Sequence, residues 1–351
     1  MRSASILQFG AGNVGRELIA QIAESDYPLR YVGIASKDGQ VEDPGGIAKS
    51  RLLGIAGGSK EQFAQKEDNV ELVRKAADAE NLIVVDVTAS GEMHPALAES
   101  LRQGASIVLA NKKPFCTEYA KFRELFGLAE KHGGQVRFEC TVGSALPIIE
   151  TVRGMQACGN RIMGIQGCFS GTLGFVCTSL DEGKKFSEIV REAKKRGYTE
   201  PDPRDDLSGT DVARKALILA RLCGRELELS DVEIESLVPK ELENVPVAEF
   251  LERIGMVDAE MESRCSKAKE NGCALRYVAQ ITEDSVRVGM KEAEKGSQIG
   301  SLKGTDNIIS IRSRWYDENP LVIIGRGAGV HATASGVFND ILQAAGPTPK
   351  A

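Results

Sequence analysis

Several things are missing from this chain of 351 residues, and each absence removes a class of function. No apolar stretch approaches the roughly 20 residues that a membrane-spanning helix needs. No block of Lys or Arg stands out and the net charge is −6, which argues against a nucleic-acid or membrane-surface role. The nearest basic run, Lys194-Lys195-Arg196, closes an expected helix, where cations suit the macrodipole. The three histidines, His94, His132 and His331, are widely separated, and the eight cysteines include no CxxC spacing. A histidine-cysteine zinc enzyme is therefore not expected. Cysteines in apolar surroundings, such as Cys168 and Cys177, read as reduced core thiols. A strand begins by about residue 5, which is incompatible with a signal peptide and makes the cytoplasm the expected location. Internal repeats and low-complexity tracts are also absent.

What is present suits two globular domains. Ser5-Ile6-Leu7-Gln8-Phe9 reads as a strand and runs into Gly10-Ala11-Gly12-Asn13-Val14-Gly15, followed by a helical pattern through Leu18, Ile19 and Ile22. This is GxGxxG with a strand before it and a helix after it. Gly10 permits the tight turn, Gly12 lets backbone approach a pyrophosphate, and Gly15 allows close helix–strand packing. The helix N-terminus offers N–H groups to the phosphates. The second strand, Arg30 to Ala35, ends in Ser36-Lys37, where an NAD-selective site would place a carboxylate. Hydroxyl plus ammonium suits a 2′-phosphate, so NADP is expected to be preferred over NAD. Strand Leu82–Val87 ends in Thr88-Ala89-Ser90, and strand Ser106–Ala110 ends in Asn111-Lys112-Lys113-Pro114. Lys112 is either a crevice residue or a plain surface lysine.

A strand over Gln135–Cys140 is expected to pass into Thr141-Val142-Gly143-Ser144-Ala145-Leu146-Pro147. That turn is either a simple domain crossing or a set of carbonyls converging on Na⁺. Strand Met163–Phe169 reaches the small, hydroxylated turn Ser170-Gly171-Thr172-Leu173-Gly174. An amphipathic helix, Phe186 to Arg196, leads to Gly197-Tyr198-Thr199-Glu200-Pro201-Asp202-Pro203-Arg204-Asp205-Asp206. Pro201 and Pro203 are expected to exclude helix here and to pre-organise Glu200, Asp205 and Asp206. The next helix, Thr210 to Leu222, carries Asp211 and Lys215 one turn apart. The pair is an ordinary surface contact or, beside the acidic loop, part of a site. In the second reading, carboxylates hold a substrate ammonium and a desolvated lysine acts as general acid or base. Residues from about 240 to 270 read as helical. Strands Leu275–Gln280, Ser285–Met290 and Asn307–Ile311 suit a half-covered antiparallel sheet, which commonly offers a dimer face. Pro320–Gly325 precedes Arg326-Gly327-Ala328-Gly329 and a last helix from about Ala332 to Leu342.

The fold expected is α/β: a Rossmann-type dinucleotide-binding domain over residues 1–140, with about 320–351 returning to it, and an α+β catalytic and dimerisation domain with a mostly antiparallel sheet over 141–319. Along essentially its whole length the chain resembles homoserine dehydrogenase. The resemblance rests on the first glycine motif, Asn111-Lys112, Thr141-Val142-Gly143, Leu146-Pro147, Phe169-Ser170-Gly171-Thr172-Leu173, the run Gly197–Lys215, and Gly327-Ala328-Gly329 with Thr333 and Gly336-Val337.

The resemblance implies reversible NAD(P)-dependent interconversion of L-aspartate 4-semialdehyde and L-homoserine, in threonine and methionine biosynthesis. It implies Lys215 as the principal proton donor and acceptor, Lys112 assisting, and Glu200, Asp206 and Asp211 binding or orienting substrate. Tyr198, Gly171 and Thr172 would line the pocket. Thr88, Lys112 and Gly329 would join Gly10, Gly12, Asn13, Val14, Gly15, Ser36 and Lys37 at the cofactor. A sodium site would use the carbonyls of Glu139, Val142, Ser144 and Leu146. Ser144, where the family often has alanine, and Gly174-Phe175, where it often has an aromatic after the Thr-Leu turn, depart from the pattern. Neither an aspartokinase domain nor a regulatory ACT domain is expected, and a homodimer or higher homo-oligomer is. Two other readings fit the same scaffold: an NADP-dependent dehydrogenase of another amino or hydroxy acid, and a dimeric sensor of NADP. A sensor has no use for two lysines placed for proton transfer.

Overall fold

The computed structural model describes residues 3–60, 63–65 and 67–346. The chain divides into two units, Met1–Ala145 with Ala328–Ala351, and Leu146–Gly327. Among the described residues each unit is built on one six-stranded sheet.

The first unit alternates strands and helices: β1 (Ala4–Phe9), α1 (Asn13–Glu24), β2 (Leu29–Ser36), β3 (Gly39–Glu42), α2 (Lys49–Ala56), α3 (Asn69–Ala76), β4 (Leu82–Asp86), α4 (His94–Arg102), β5 (Ser106–Leu109), α5 (Tyr119–His132) and β6 (Val136–Arg137). The sheet order is β3-β2-β1-β4-β5-β6. Neighbours are parallel except β2 and β3, which form an antiparallel hairpin closed by Ser36↔Gly39. Parallel strands must be covered on both faces, and β1, β4 and β5 are accordingly apolar and buried throughout most of their length. Leu18, Ile19 and Ile22 of α1 fill one side of this core with Ile6, Ile83 and Val108.

The second unit contains α6 (Ile148–Ala157), β7 (Ile162–Cys168), α7 (Gly171–Asp181), α8 (Phe186–Lys195), α9 (Pro203–Leu207), α10 (Thr210–Leu222), β8 (Glu233–Ile234), α11 (Val247–Arg253), α12 (Asp258–Glu270), β9 (Cys273–Ile281), β10 (Val286–Glu294), β11 (Asp306–Ser313) and β12 (Tyr316–Arg326). The sheet order is β12-β11-β7-β9-β10-β8, antiparallel except for the parallel pair β10–β8. Gly167, Ile309 and Ala279 align across β7, β11 and β9. Alternation therefore puts them on one face. That face carries Tyr277, whose partner Met290 meets Cys177 of α7. The other face holds Cys168, Val278, Ile308 and Leu302 in a separate apolar cluster. A last helix, α13 (Val330–Ala345), returns to the first unit, where Val337 and Ile341 join its core.

Several expected boundaries move. Residues 320–326 do not return to the first unit but pair antiparallel with β11 as part of β12, because their backbone completes the edge of the second sheet. The strand expected over 135–140 shrinks to β6: the Glu139 N–H donates to the Asp340 carboxylate of α13 instead of a strand, and Glu139–Thr141 tightens into a 3₁₀ turn. Pro203 does not exclude helix; it begins one. Asp202 caps α9 by accepting from the Arg204 N–H at 3.0 Å, and proline is tolerated at a first helical position because that N–H has no intrahelical partner. The helical stretch after residue 240 breaks into α11 and α12 around a tight turn at Ile254–Val257. The short elements β3, α2 and β8 had no distinct sequence signal. The eight cysteines are all free; Cys168 and Cys177 are buried, and burial pushes both thiols up to about 12.

Candidate active site

In the first unit, Gly10 follows β1, Ser36 ends β2, Thr88 follows β4, and Asn111 and Lys112 follow β5. Because these strands are parallel, all five positions lie along the carboxyl rim of one sheet, where such folds bind ligands. Gly10 sits at φ +105, and a Cβ there would press on the Val87 carbonyl at 2.9 Å. At Gly15 a Cβ would overlap the Gly10 carbonyl, whereas the Cβ direction of Gly12 is open space. The opening of α1 has no side-chain cap and no acidic residue in its first turn. An open Gly12 before an uncapped helix start is what a pyrophosphate requires, so these residues fit a dinucleotide. Asn13 is exposed and accepts from Arg16 at 3.2 Å, while Val14 packs on the core.

Two residues that sequence reasoning passed over hold this turn. The Gln8 amide donates to the carbonyls of Gly10 (2.7 Å) and Gly15 (3.1 Å), and the Tyr31 hydroxyl donates to Gln8 Oε1 at 2.8 Å. The available signal was a glutamine inside an otherwise apolar parallel strand, a costly placement unless its amide is used. Ser36 is committed to its own hairpin: its hydroxyl accepts from the Asp38 N–H at 3.0 Å and donates to Gly39 O. Lys37 is exposed, and the acid two residues past the strand, Asp38, is paired with Lys60 at 3.0 Å.

Beneath Thr88 lies the fully buried Asp86. It accepts from the Thr88 N–H and hydroxyl at 2.9 and 2.7 Å and from Asn111 Nδ2 at 2.9 Å. Burial pushes the Asp86 carboxyl up to about 6, outweighing those three hydrogen bonds, which pull the other way. Asn111 also reaches the Ser90 carbonyl at 2.8 Å, so one amide ties the ends of β4 and β5 together and places the half-buried Lys112 beside it.

Of the expected cation ligands, Glu139, Val142 and Ser144 lie in the first unit and Leu146 opens the second. Ser144 takes φ +58, and its hydroxyl lies 2.9 Å from that of Thr333. The carbonyls of Glu139 and Leu146 each accept a backbone N–H, from Val142 and Ile148. Among the described residues no cluster of His, Cys, Asp or Glu side chains suits a metal ion.

In the second unit the expected constellation assembles around α10. Lys215 is 9% exposed, and its ammonium donates to the Phe169 carbonyl at 2.6 Å and meets Asp211 Oδ2 at 2.8 Å. The chain just past β7 thus supplies a carbonyl, and one turn of helix a carboxylate, to a nearly buried cation. This is not the exposed i,i+4 pair worth a few tenths of a kcal/mol. Ser170 caps α7 by accepting from the Leu173 N–H, which fixes Gly171 and Thr172 at the helix start. The Thr172 hydroxyl donates to Tyr198 O at 2.5 Å and lies 2.9 Å from Asp206 Oδ1. Asp206 Oδ2 accepts the Glu200 N–H at 2.8 Å. Burial raises the Asp206 carboxyl above its usual range; the Glu200 and Thr172 hydrogen bonds oppose this, and the charges of Asp211 and Asp205 add to it. Asp206 is therefore the strut of the acidic loop, while the Glu200 side chain stays exposed. Tyr198 is also exposed and stacks edge-on against Phe175, the residue at the departure noted above.

Arg204, absent from every expected role, locks the loop from below. It bonds both oxygens of Asp202 and the carbonyls of Leu242, Glu243 and Val245, and its guanidinium holds the Asp202 carboxyl below the usual range. A groove of about 530 Å³ at the other end of β7, lined by Asn160, Arg161, Cys223 and Arg225, contains none of the expected site residues.

A glycine-turn unit followed by a mostly antiparallel unit with a nearly buried lysine defines a two-unit α/β protein of the Rossmann-type dinucleotide-binding class. Residues 10–139 match the family model "Homoserine dehydrogenase, NAD binding domain", and residues 147–342 match "Homoserine dehydrogenase". The chain belongs to the homoserine dehydrogenase family. It is 37% identical over 347 residues to the chloroplastic bifunctional aspartokinase/homoserine dehydrogenase 1 of Arabidopsis thaliana, covering 96% of this chain but 38% of that protein. The chain thus spans about two fifths of the length of such bifunctional relatives. With the homoserine dehydrogenase of Emericella nidulans it shares 41% identity over 278 residues, 74% of each chain. A hyperthermophilic archaeal homoserine dehydrogenase solved in complex with NADPH superposes with a TM-score of 0.76 at 26% identity over 98% of both chains. Among the described residues no helix is long and apolar enough to cross a membrane.

The protonation of Asp86 sets a pH dependence. Its folded value of about 6 lies above its ordinary 3.8, so the folded state binds the proton more tightly. The resulting stabilisation is fully present below pH 3.8 and is lost as pH rises through about 6, an effect on the order of 3 kcal/mol. Urea midpoints measured from pH 4 to 7 are expected to fall more steeply for the parent than for Asp86→Asn; parallel curves would contradict the assignment.

Proposed function

We propose that this protein catalyses the reversible NAD(P)-dependent reduction of L-aspartate 4-semialdehyde to L-homoserine. The observation that carries this reading is the nearly buried Lys215 ammonium, held by the Phe169 carbonyl and Asp211 beside the Asp206-braced acidic loop. Gly10, Gly12, Asn13, Val14 and Gly15 would hold the pyrophosphate, with Thr88, Lys112 and Gly329 completing the dinucleotide site. When bound there, the nicotinamide would supply or accept the hydride. Lys215 Nζ delivers a proton to the carbonyl oxygen of the aldehyde and takes it back in the reverse direction, with Lys112 assisting at that oxygen. Asp211 keeps Lys215 oriented, and Glu200 holds the substrate ammonium with Tyr198, Gly171 and Thr172 at the pocket wall. Asp206 acts mainly by fixing the Glu200 backbone and Thr172. A resident Na⁺ on the carbonyls of Glu139, Val142, Ser144 and Leu146 belongs to the same proposal. It would require the Glu139 and Leu146 carbonyls to share or release their present N–H donors.

The exposed Lys37 supports NADP over NAD, although Ser36 contributes less than its position promised because the hairpin occupies its hydroxyl. The half-covered second sheet supports a homodimer: Trp315, Tyr316 and Ile324 on or beside β12 are all strongly exposed.

NADPH absorbance followed with aspartate semialdehyde is expected to show turnover, and Lys215→Ala is expected to lower kcat on the order of 10²-fold or more. Near-parental kcat in that variant would remove the proton-transfer role. Michaelis constants are expected to favour NADPH over NADH, with Lys37→Ala narrowing the gap; an NADH preference would defeat the cofactor assignment. Light scattering on the same sample should give at least twice the 37.7 kDa chain mass, and a monomer would rule out the dimer.

A further inference from the structure

One buried polar side chain of the second unit has no role in the site described above. Asn307, near the start of β11, is 1% exposed, and among the described residues neither its amide nitrogen nor its amide oxygen has a hydrogen-bond partner. Its location is not arbitrary. The next two residues, Ile308 and Ile309, pair with Cys168 and Gly167 of β7. Asn307 therefore stands at the end of β7 that runs into Phe169, the residue whose carbonyl holds Lys215. It shares the sheet face of Ile309 and Gly167, the face on which α7 packs.

On its other side Asn307 pairs with Gly325 of β12, and two residues further on Gly327 covers the amide. A Cβ on Gly327 would overlap both the nitrogen and the oxygen of that amide. Glycine is thus required at 327 for space. Ala328 is exposed and Gly329, with φ +130 and open space in its Cβ direction, leads into α13 without a side-chain cap. The amide thus offers a donor and an acceptor, both unused, against Gly327, the residue from which a glycine-alanine-glycine strap sets out.

Burying an amide with both ends unused destabilises the ligand-free fold. Such a cost is offset if a second conformation uses both ends. A ligand can favour that conformation only through a difference in free energy between the two, and two newly made hydrogen bonds supply one. We propose that Asn307 is a positioning residue: on binding of the nicotinamide dinucleotide, the Arg326–Gly329 strap shifts and the Asn307 amide takes up its backbone N–H and C=O. This rests on the proposed function, which places Gly329 at the cofactor. Asn307 acts through the strap and touches neither substrate nor reacting atoms.

The test replaces the amide by an apolar group of similar size, Asn307→Leu, and uses NADPH as the probe. Three readouts are taken: thermal midpoint without ligand, NADPH affinity by fluorescence titration, and hydrogen–deuterium exchange over residues 326–330 with and without NADPH. The ligand-free midpoint is expected to stay or rise, because the unused amide is gone. NADPH is expected to bind about tenfold more weakly, the scale of one to two net hydrogen bonds. The slowing of exchange that NADPH causes in the parent strap is expected to vanish. Asn307→Ala, which adds no volume, carries the same expectations for affinity and exchange if the leucine variant does not fold. Unchanged NADPH affinity in a folded variant overturns the inference, as does a parent strap whose exchange ignores NADPH. A parent that binds NADPH and protects the strap, yet does not turn over aspartate semialdehyde, sinks the proposed function and leaves the role of Asn307 standing.

Discussion

The second unit depends on one awkward object, a lysine ammonium that is almost out of water. Charges are buried only when paired and hydrogen-bonded. The surroundings of Lys215 meet that demand from two directions, a main-chain carbonyl just past the end of β7 and a carboxylate one turn back on α10. Meeting it fixes a good deal else. The Phe169 carbonyl has to point at α10, so β7 must end there and α7 must begin at once, which the Ser170 cap ensures. The acidic loop must then close over the start of α7, and the contacts of Asp206 with the Thr172 hydroxyl and the Glu200 N–H close it.

The loop is held from below as well as from above. Arg204 gathers three carbonyls and both oxygens of Asp202, so the segment that begins at Pro203 is a short capped helix and not an extended arm. This division of labour refines the roles of the carboxylates. Asp202 and Asp206 are used up in building the loop, whereas Glu200 is exposed and Asp211 is turned toward Lys215. A row of acids that looks uniform in sequence contains struts and side chains left out of the bracing, told apart only by their partners.

The first unit shows the same economy. The glycine turn is shaped by steric necessity at Gly10 and Gly15 and opened by the absence of any obstruction at Gly12. Its stiffness comes from a side chain in the strand, Gln8, backed by Tyr31 from the neighbouring strand. Asp86, Thr88 and Asn111 form the equivalent brace between the ends of β4 and β5. In both places a buried polar group in an apolar strand fixes the backbone of a residue on the carboxyl rim of the sheet.

What was legible in the sequence was whatever depends on local geometry. A strand, GxGxxG and a helix in succession need no distant partner to be recognised, and Asp211 and Lys215 lie on one helix face by periodicity alone. The alternation of β9, β10 and β11 likewise announced a half-covered antiparallel sheet. What the tertiary structure decided were the features that depend on a partner distant in sequence. Pairing with β11 kept residues 320–326 in the second sheet, and the Asp340 carboxylate took the Glu139 N–H and cut β6 short. The bracing roles of Gln8, Tyr31, Arg204 and Asp206, and the unused amide of Asn307 beneath Gly327, belong to the same group. A sequence displays what each residue can donate or accept, but which groups satisfy one another is settled only when the chain brings them within about 3 Å.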